Sequence, residues 1–112
     1  MQDESAFTAL TGRVLDAIGH ALDAADSDEI DWSENDGVLT IECPGGHIIV
    51  NRHVPNRELW IAARSGGFHF RAGVDGWKDT RSGEDLRAAM QRVLQEQGAG
   101  SIEIPELPVA IL

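Results

Sequence analysis

The sequence predicts an α+β fold: a two-layer sandwich with two helices packed on one face of a five- to six-stranded antiparallel sheet. Three observations support this prediction. Apolar residues recur at helical spacing near both ends of the chain, the segments between them alternate with a period of two, and turn residues separate those segments. Strands grouped between two helices place both helices on one side of the sheet. The 112 residues are the length of one ordinary domain.

The first helix is predicted over about residues 4–25. Its apolar stripe recurs every three or four residues and consists of Phe7, Leu10, Thr11, Val14, Ile18, Ala21, Leu22 and Ala25. Gly12 and Gly19 each weaken a helix by about 1 kcal/mol relative to alanine, although glycine also lets a neighbouring element approach closely. The cluster Asp26-Ser27-Asp28 forms helix poorly and is expected to end it.

Short strands are predicted next, because the apolar period changes to two. They lie near residues 30–32, 38–42, 47–52, 58–63, 68–71 and 77–79, with turns at Asn35-Asp36-Gly37, Pro44-Gly45-Gly46, Ser65-Gly66-Gly67 and 73–76. On the strand at 58–63, Leu59 and Ile61 share the face expected to meet the core. Trp60 is then expected on the open face of the sheet, because an antiparallel sheet of this kind leaves one face solvated.

The second helix is predicted to begin after Ser82, which serves as N-cap with an acidic residue three positions later. Its apolar stripe is Leu86, Ala89, Met90, Val93 and Leu94, and Gly98 lies where a C-cap is expected. The remaining tail, about residues 99–112, carries Ile102, Ile104, Leu107, Val109, Ile111 and Leu112. A tail this apolar is expected to dock on the helices, along the groove between them.

The net charge of −10 argues against nucleic acid and anionic membranes as partners. Eleven of the 19 acidic residues but only one of the nine basic residues precede Cys43, so the excess lies in the first 42 residues. A cationic ligand or a basic partner would relieve the repulsion there, although a solubilising surface is the simpler alternative. Because Cys43 is the only cysteine and the acidic start resembles neither a secretory signal nor a mitochondrial presequence, we expect a cytoplasmic protein.

The segment from Asn51 to Phe70 resembles the signature of the frataxin family. The matching elements are the Asn51-Arg52 pair, Pro55, Leu59-Trp60, the Ser65-Gly66-Gly67 turn and Phe68-His69-Phe70. The resemblance covers about residues 5–98 and is closest to bacterial members, which lack a targeting extension. It implies iron binding and a role in iron–sulfur cluster assembly, as iron donor, as regulator of the cysteine desulfurase, or as both.

The resemblance also implies two sites. An acidic ridge on the first helix and first strand would hold iron(II) or iron(III) weakly at exposed carboxylates, namely Asp16, Asp23, Asp26, Asp28, Glu29, Asp31 and Glu34. The family's sheet surface, including the tryptophan that matches Trp60, contacts the desulfurase and the scaffold protein. Asn51 and Arg52, on an adjacent strand, are expected to flank Trp60 there.

Other functions find less support in the sequence. The four histidines and Cys43 lack zinc-ligand spacing, and Cys43 is expected to be an inert thiol. A ferroxidase that oxidises iron(II) at surface carboxylates is the alternative function, but the inward Glu and Glu-x-x-His pattern of di-iron bundles is missing. An acidic interaction domain without a metal role is the third possibility. We therefore expect a monomeric binding protein and not an enzyme.

Overall fold

The computed structural model describes residues 3–109, so Ile111 and Leu112 of the predicted tail lie outside the described residues. The elements follow one another as α1 (Glu4–Ala25), β1 (Asp31–Asn35), β2 (Val38–Cys43), β3 (Gly46–His53), β4 (Glu58–Ala63), β5 (Gly66–Gly73), β6 (Gly76–Asp79) and α2 (Leu86–Glu96). The six strands form one antiparallel sheet in chain order. The predicted fold class is confirmed. Within residues 3–109, neither helix combines the length and apolar character needed to span a membrane.

Tight turns set the register of the strands. Asp36 and Gly37 both have positive φ, 51° and 82°, as a two-residue type I′ turn requires. This turn pairs Asn35 with Val38 and thereby aligns β1 with β2. The predicted turn residues therefore act through backbone conformations that glycine and aspartate adopt at low cost.

The core lies between the helices and one face of the sheet. Most of the predicted stripe of α1 is buried, but Ala25 is exposed and Ala21 is half-buried. The buried core residues of the helices and strands include Phe7, Leu10, Val14, Leu15, Ile18, Leu22, Leu39, Ile41, Ile48, Val50, Leu59, Ile61, Phe70, Trp77, Leu86, Ala89, Met90, Val93 and Leu94. Burial of one such large side chain contributes about 1.5–3 kcal/mol. Because both helices occupy the same side, the opposite face of the sheet stays open.

The start of α2 differs from the prediction. The helix begins at Leu86, and Asp85 is its N-cap, with a carboxylate that accepts the N–H of Arg87. The prediction that Ser82 is the N-cap is wrong. The Ser82 hydroxyl instead accepts the N–H of Glu84 at 3.1 Å, within the turn that precedes the helix. Asp85, the acidic residue three positions after Ser82, caps the helix because it directly precedes the buried Leu86.

The end of α2 agrees with the prediction. Gly98 has a φ of 83°, and its N–H donates to the carbonyl of Gln95 at 3.2 Å. The N–H of Ala99 donates to the carbonyl of Leu94 at 2.9 Å. These two bonds form a Schellman motif, which needs a left-handed residue where Gly98 stands.

The tail after α2 turns back along that helix. Ile104 is fully buried and Ile102 is 6% exposed, so both belong to the core. The N–H of Ile104 donates to the Gln91 side chain at 3.0 Å, and the Trp77 indole donates to the carbonyl of Pro108 at 2.6 Å. These bonds hold the tail on α2 and β6.

Candidate functional site

The predicted metal ligands all lie on the solvent-exposed surface of α1, β1 and the loop between them. We call this surface the acidic ridge; it consists of Asp16, Asp23, Asp26, Asp28, Glu29, Asp31 and Glu34. Asp16 and Asp23 are seven residues apart and so lie on the same side of α1. Asp31 and Glu34 lie on β1, which is an edge strand of the sheet.

A contact between Gly19 and Trp32 brings the helical and strand parts of the ridge together. A Cβ atom placed on Gly19 would lie 2.7 Å from the Trp32 indole, so this close approach depends on glycine. The Trp32 indole N–H also donates to Oδ1 of Asp23 at 2.8 Å. The half-buried Trp32 therefore packs against α1 and also holds a ridge carboxylate in place.

The ridge contains oxygen donors but no preformed cage. Within residues 3–109, the structure contains no group of three or more His, Cys, Asp or Glu side chains placed to hold a metal ion. Carboxylate oxygens suit iron and other hard cations, and their summed negative potential attracts cations. A carboxylate gives up hydration when it binds a cation, and the exposed ridge carboxylates are not held in a rigid site that would offset this cost.

Trp60 lies on the open face of the sheet, as predicted, and is half-buried there by two histidines. The ring of His53 stacks on one side at a centroid distance of 3.8 Å and an interplanar angle of 12°. The ring of His69 stacks on the other side at 4.1 Å and 5°. We call these three residues the Trp60 stack. It borders a shallow apolar depression lined by Val38, Ile49, Asn51, Ala62 and Gly67.

Glu58 lies two residues before Trp60 on β4 and contacts this stack, and the sequence analysis did not identify it as a site residue. Its side chain is 5% exposed, and it accepts the Trp60 indole N–H at 2.8 Å and a guanidinium N–H of Arg71 at 2.6 Å. His69 Nδ1 lies 3.8 Å from the same carboxylate. Burial favours the neutral acid, but the two hydrogen bonds and the charges of Arg71 and His69 outweigh it and hold the pKa of Glu58 below its usual value.

The structure separates Asn51 from Arg52. Asn51 pairs with Trp60 across β3 and β4 and lines the depression on the open face. The Arg52 side chain lies on the helix side, where its Nε donates to the Thr11 hydroxyl at 2.7 Å and a terminal nitrogen donates to the carbonyl of Thr8 at 3.3 Å. The prediction that Arg52 flanks Trp60 is wrong, because adjacent strand residues point to opposite faces.

Cys43 is half-buried at the end of β2. Burial raises the pKa of its thiol, so the nucleophilic thiolate is less populated near neutral pH than in an exposed cysteine. This environment agrees with the inert thiol expected from the sequence.

Comparisons with known proteins agree on one family. The family model described as a frataxin-like domain matches residues 1–100. The iron-sulfur cluster assembly protein CyaY of Cupriavidus pinatubonensis is 44% identical over 106 residues, which are 90% of this chain and 95% of that protein. The protein of the same name from Ralstonia pickettii is 46% identical over 100 residues, which are 84% of this chain and 87% of that protein.

Two solved structures resemble this one. Frataxin from Psychromonas ingrahamii matches with a TM-score of 0.86 over 94% of this chain and 100% of that chain, and its 23% identity makes this a likeness of fold. Trimeric frataxin from the yeast Saccharomyces cerevisiae, complexed with ferrous, matches with a TM-score of 0.67 and 25% identity over 88% of both chains.

Proposed function

The chain belongs to the family of frataxin-like domains, and on that premise we propose that it acts in iron–sulfur cluster assembly as an iron-binding protein. It donates iron, regulates the cysteine desulfurase, or does both. Its relatives are named iron–sulfur cluster assembly proteins, and the yeast frataxin structure is a complex with ferrous. The observation that carries the proposal is the exposed acidic ridge, whose helical and strand parts are joined at the Trp32–Asp23 bond.

Iron is a weakly bound cargo in this proposal. It contacts the ridge carboxylates Asp16, Asp23, Asp26, Asp28, Glu29, Asp31 and Glu34, which are exposed and therefore also accessible to a partner. Weak and exposed contact suits delivery better than storage. A basic patch of the desulfurase would meet the same carboxylates by charge complementarity.

An anaerobic iron(II) titration followed by NMR tests the iron contact. We expect signals of residues 16–34 and the Trp32 indole N–H to shift or broaden first, while the Trp60 indole changes less. The variant Asp23→Asn/Asp31→Asn keeps an oxygen acceptor for Trp32 and is expected to weaken the response. Glu103→Gln, an exposed change in the tail, is the matched control. No iron-induced change within residues 16–34 would contradict the proposal.

The open face of the sheet is the second contact in the proposal. Trp60, with Asn51 opposite it, docks against the desulfurase and the scaffold protein, since aromatic residues dominate the binding energy of many interfaces. Trp60→Ala is expected to leave the fold largely intact and to weaken desulfurase binding. Loss of folding with unchanged affinity per folded molecule would refute this docking role. Arg52, bound to α1, supports the fold in this proposal and does not dock.

The names of the relatives favour an assembly protein over the alternative, a ferroxidase. Oxygen consumption with iron(II) separates the two, because a ferroxidase would lose its activity in the Asp23→Asn/Asp31→Asn variant. We further propose that the chain works as a monomer in a reducing cytoplasm, where Cys43 stays a free thiol. Sedimentation with and without iron(II) measures the oligomeric state.

A further inference from the structure

We infer that Glu58 is a positioning residue that fixes the indole of Trp60 and so presents the open face as a preformed docking surface. The inference rests on the docking role proposed above for Trp60. Glu58 does not itself contact the partner, because its side chain is only 5% exposed.

The two oxygens of Glu58 have different partners. Oε1 accepts the Trp60 indole N–H at 2.8 Å, and Oε2 accepts the Arg71 guanidinium at 2.6 Å. Arg71 is 61% exposed, so the buried carboxylate is the anchored member of this ion pair. If the indole turned away, it would leave its bond to a buried charge unmade, which is unfavourable.

The ring stack and the hydrogen bond restrain different motions of Trp60. His53 on β3 and His69 on β5 lie parallel to the indole on its two faces, so they oppose tilting out of the plane. Stacked rings still allow rotation and sliding within that plane. The bond from the indole N–H to Glu58 removes this remaining freedom, so the ring edge that meets a partner has one orientation.

A preformed side chain binds more tightly because no ordering cost is left for the binding step. Releasing one large side chain is expected to weaken binding between about threefold and tenfold. Glu58→Leu removes both the charge and the acceptor, and exposed Arg71 can then turn to solvent. Glu58→Gln keeps an oxygen that accepts the Trp60 indole N–H and is expected to retain most of the affinity.

Calorimetric binding to purified cysteine desulfurase tests the inference in a double-mutant cycle of Glu58→Leu and Trp60→Ala. We expect Glu58→Leu to weaken binding in the presence of Trp60 and to have no further effect in the Trp60→Ala protein. Glu103→Gln is the control, since Glu103 is an exposed carboxylate in the tail, outside both the open face of the sheet and the acidic ridge. It is expected to leave the affinity within twofold of that of the original protein.

The outcomes separate this inference from the docking role. Equal losses from Glu58→Leu with and without Trp60, or an equal loss in Glu58→Gln, would overturn positioning through the indole. Unchanged affinity in Glu58→Leu, alongside a loss in Trp60→Ala, would overturn the inference alone. Unchanged affinity in Trp60→Ala would overturn the docking role on which it rests.

The NMR signal of the Trp60 indole N–H provides a second test, because a purely structural role of Glu58 would not change it. The Trp60 indole N–H signal, assigned by its absence in Trp60→Phe, is expected to move upfield and exchange faster in Glu58→Leu. It is expected to stay near its original position in Glu58→Gln. An unchanged indole signal in Glu58→Leu would overturn the inference even if that variant binds more weakly.

Discussion

Gly12 and Gly19 are both interior residues of α1, yet replacing each by alanine is expected to have opposite effects on stability. A Cβ atom on Gly12 would lie 3.9 Å from the Arg52 guanidinium, which is an ordinary van der Waals contact. Alanine there gains helix propensity without strain. Gly12→Ala is therefore expected to raise the free energy of unfolding by about 0.5–1 kcal/mol.

Gly19→Ala gains the same propensity but meets the Trp32 indole. Its Cβ would lie 2.7 Å from one ring carbon and 3.0 and 3.1 Å from two others, so the ring must withdraw and strain its 2.8 Å bond to Asp23. Overpacking of this kind costs about 1–3 kcal/mol. With a propensity gain of about 1 kcal/mol subtracted, we expect a net loss of about 1 kcal/mol and a difference between the two variants of about 2 kcal/mol.

Urea unfolding followed by circular dichroism measures this difference. With an m-value of about 2 kcal/mol/M, the midpoints of the two variants are expected to differ by about 1 M. In a Trp32→Leu background the obstruction is gone, so Gly19→Ala is expected to become stabilising. A Gly19→Ala protein with Trp32 in place and a midpoint equal to or above the original would refute the reasoning.

Three further predictions concern the tail, the buried carboxylate and the misassigned arginine. Ile104→Ala removes a fully buried side chain and is expected to lower the free energy of unfolding in urea by about 2–4 kcal/mol. The control Glu103→Ala changes an exposed residue and is expected to alter it little. Equal effects of the two variants would show that the tail is not part of the core. Because the pKa of Glu58 is lowered in the folded state, its ionised form stabilises the fold above the unfolded pKa of about 4.3, and this stability is lost as the pH falls through the folded pKa. The urea-midpoint advantage of the original protein over Glu58→Gln is therefore expected to shrink below about pH 4, and a constant advantage from pH 6 to 3 would contradict the lowered pKa. Arg52→Met loses the bonds to α1 and is expected to lower the urea midpoint while leaving the desulfurase affinity per folded molecule unchanged. A weaker affinity of the fully folded variant would show that Arg52 belongs to the docking surface.

Local patterns were sufficient to predict the architecture. The stripe from Phe7 to Ala25 matches α1, and the Asp36-Gly37 turn has the backbone conformation that its residues favour. The start of α2 could not be placed as well, because Ser82 and Asp85 are both good N-cap residues. The choice between them depends on where the first apolar residue of the helix, Leu86, meets the core.

The exposure of the site residues could be predicted from the sequence, but the contacts between helices and strands that position them could not. The ridge carboxylates are exposed, as expected for charged residues in a polar segment. The Trp32–Asp23 bond was not predicted, because it depends on how β1 packs against α1 and no local sequence pattern indicates that packing. Arg52 could have been placed correctly, because strict alternation puts it with Val50 on the helix side. The buried Glu58 accepts a bond from Arg71 on β5, and this contact depends on the register between β4 and β5.

The central claim is tested most directly by the rate of cluster assembly on the purified scaffold protein, measured with the cysteine desulfurase at several iron(II) concentrations. We expect the protein to change this rate in an iron-dependent manner. The Asp23→Asn/Asp31→Asn variant is expected to lose the iron dependence, and Trp60→Ala is expected to need a higher protein concentration for the same effect. An assembly rate that is the same with and without the protein at every iron concentration would contradict the account.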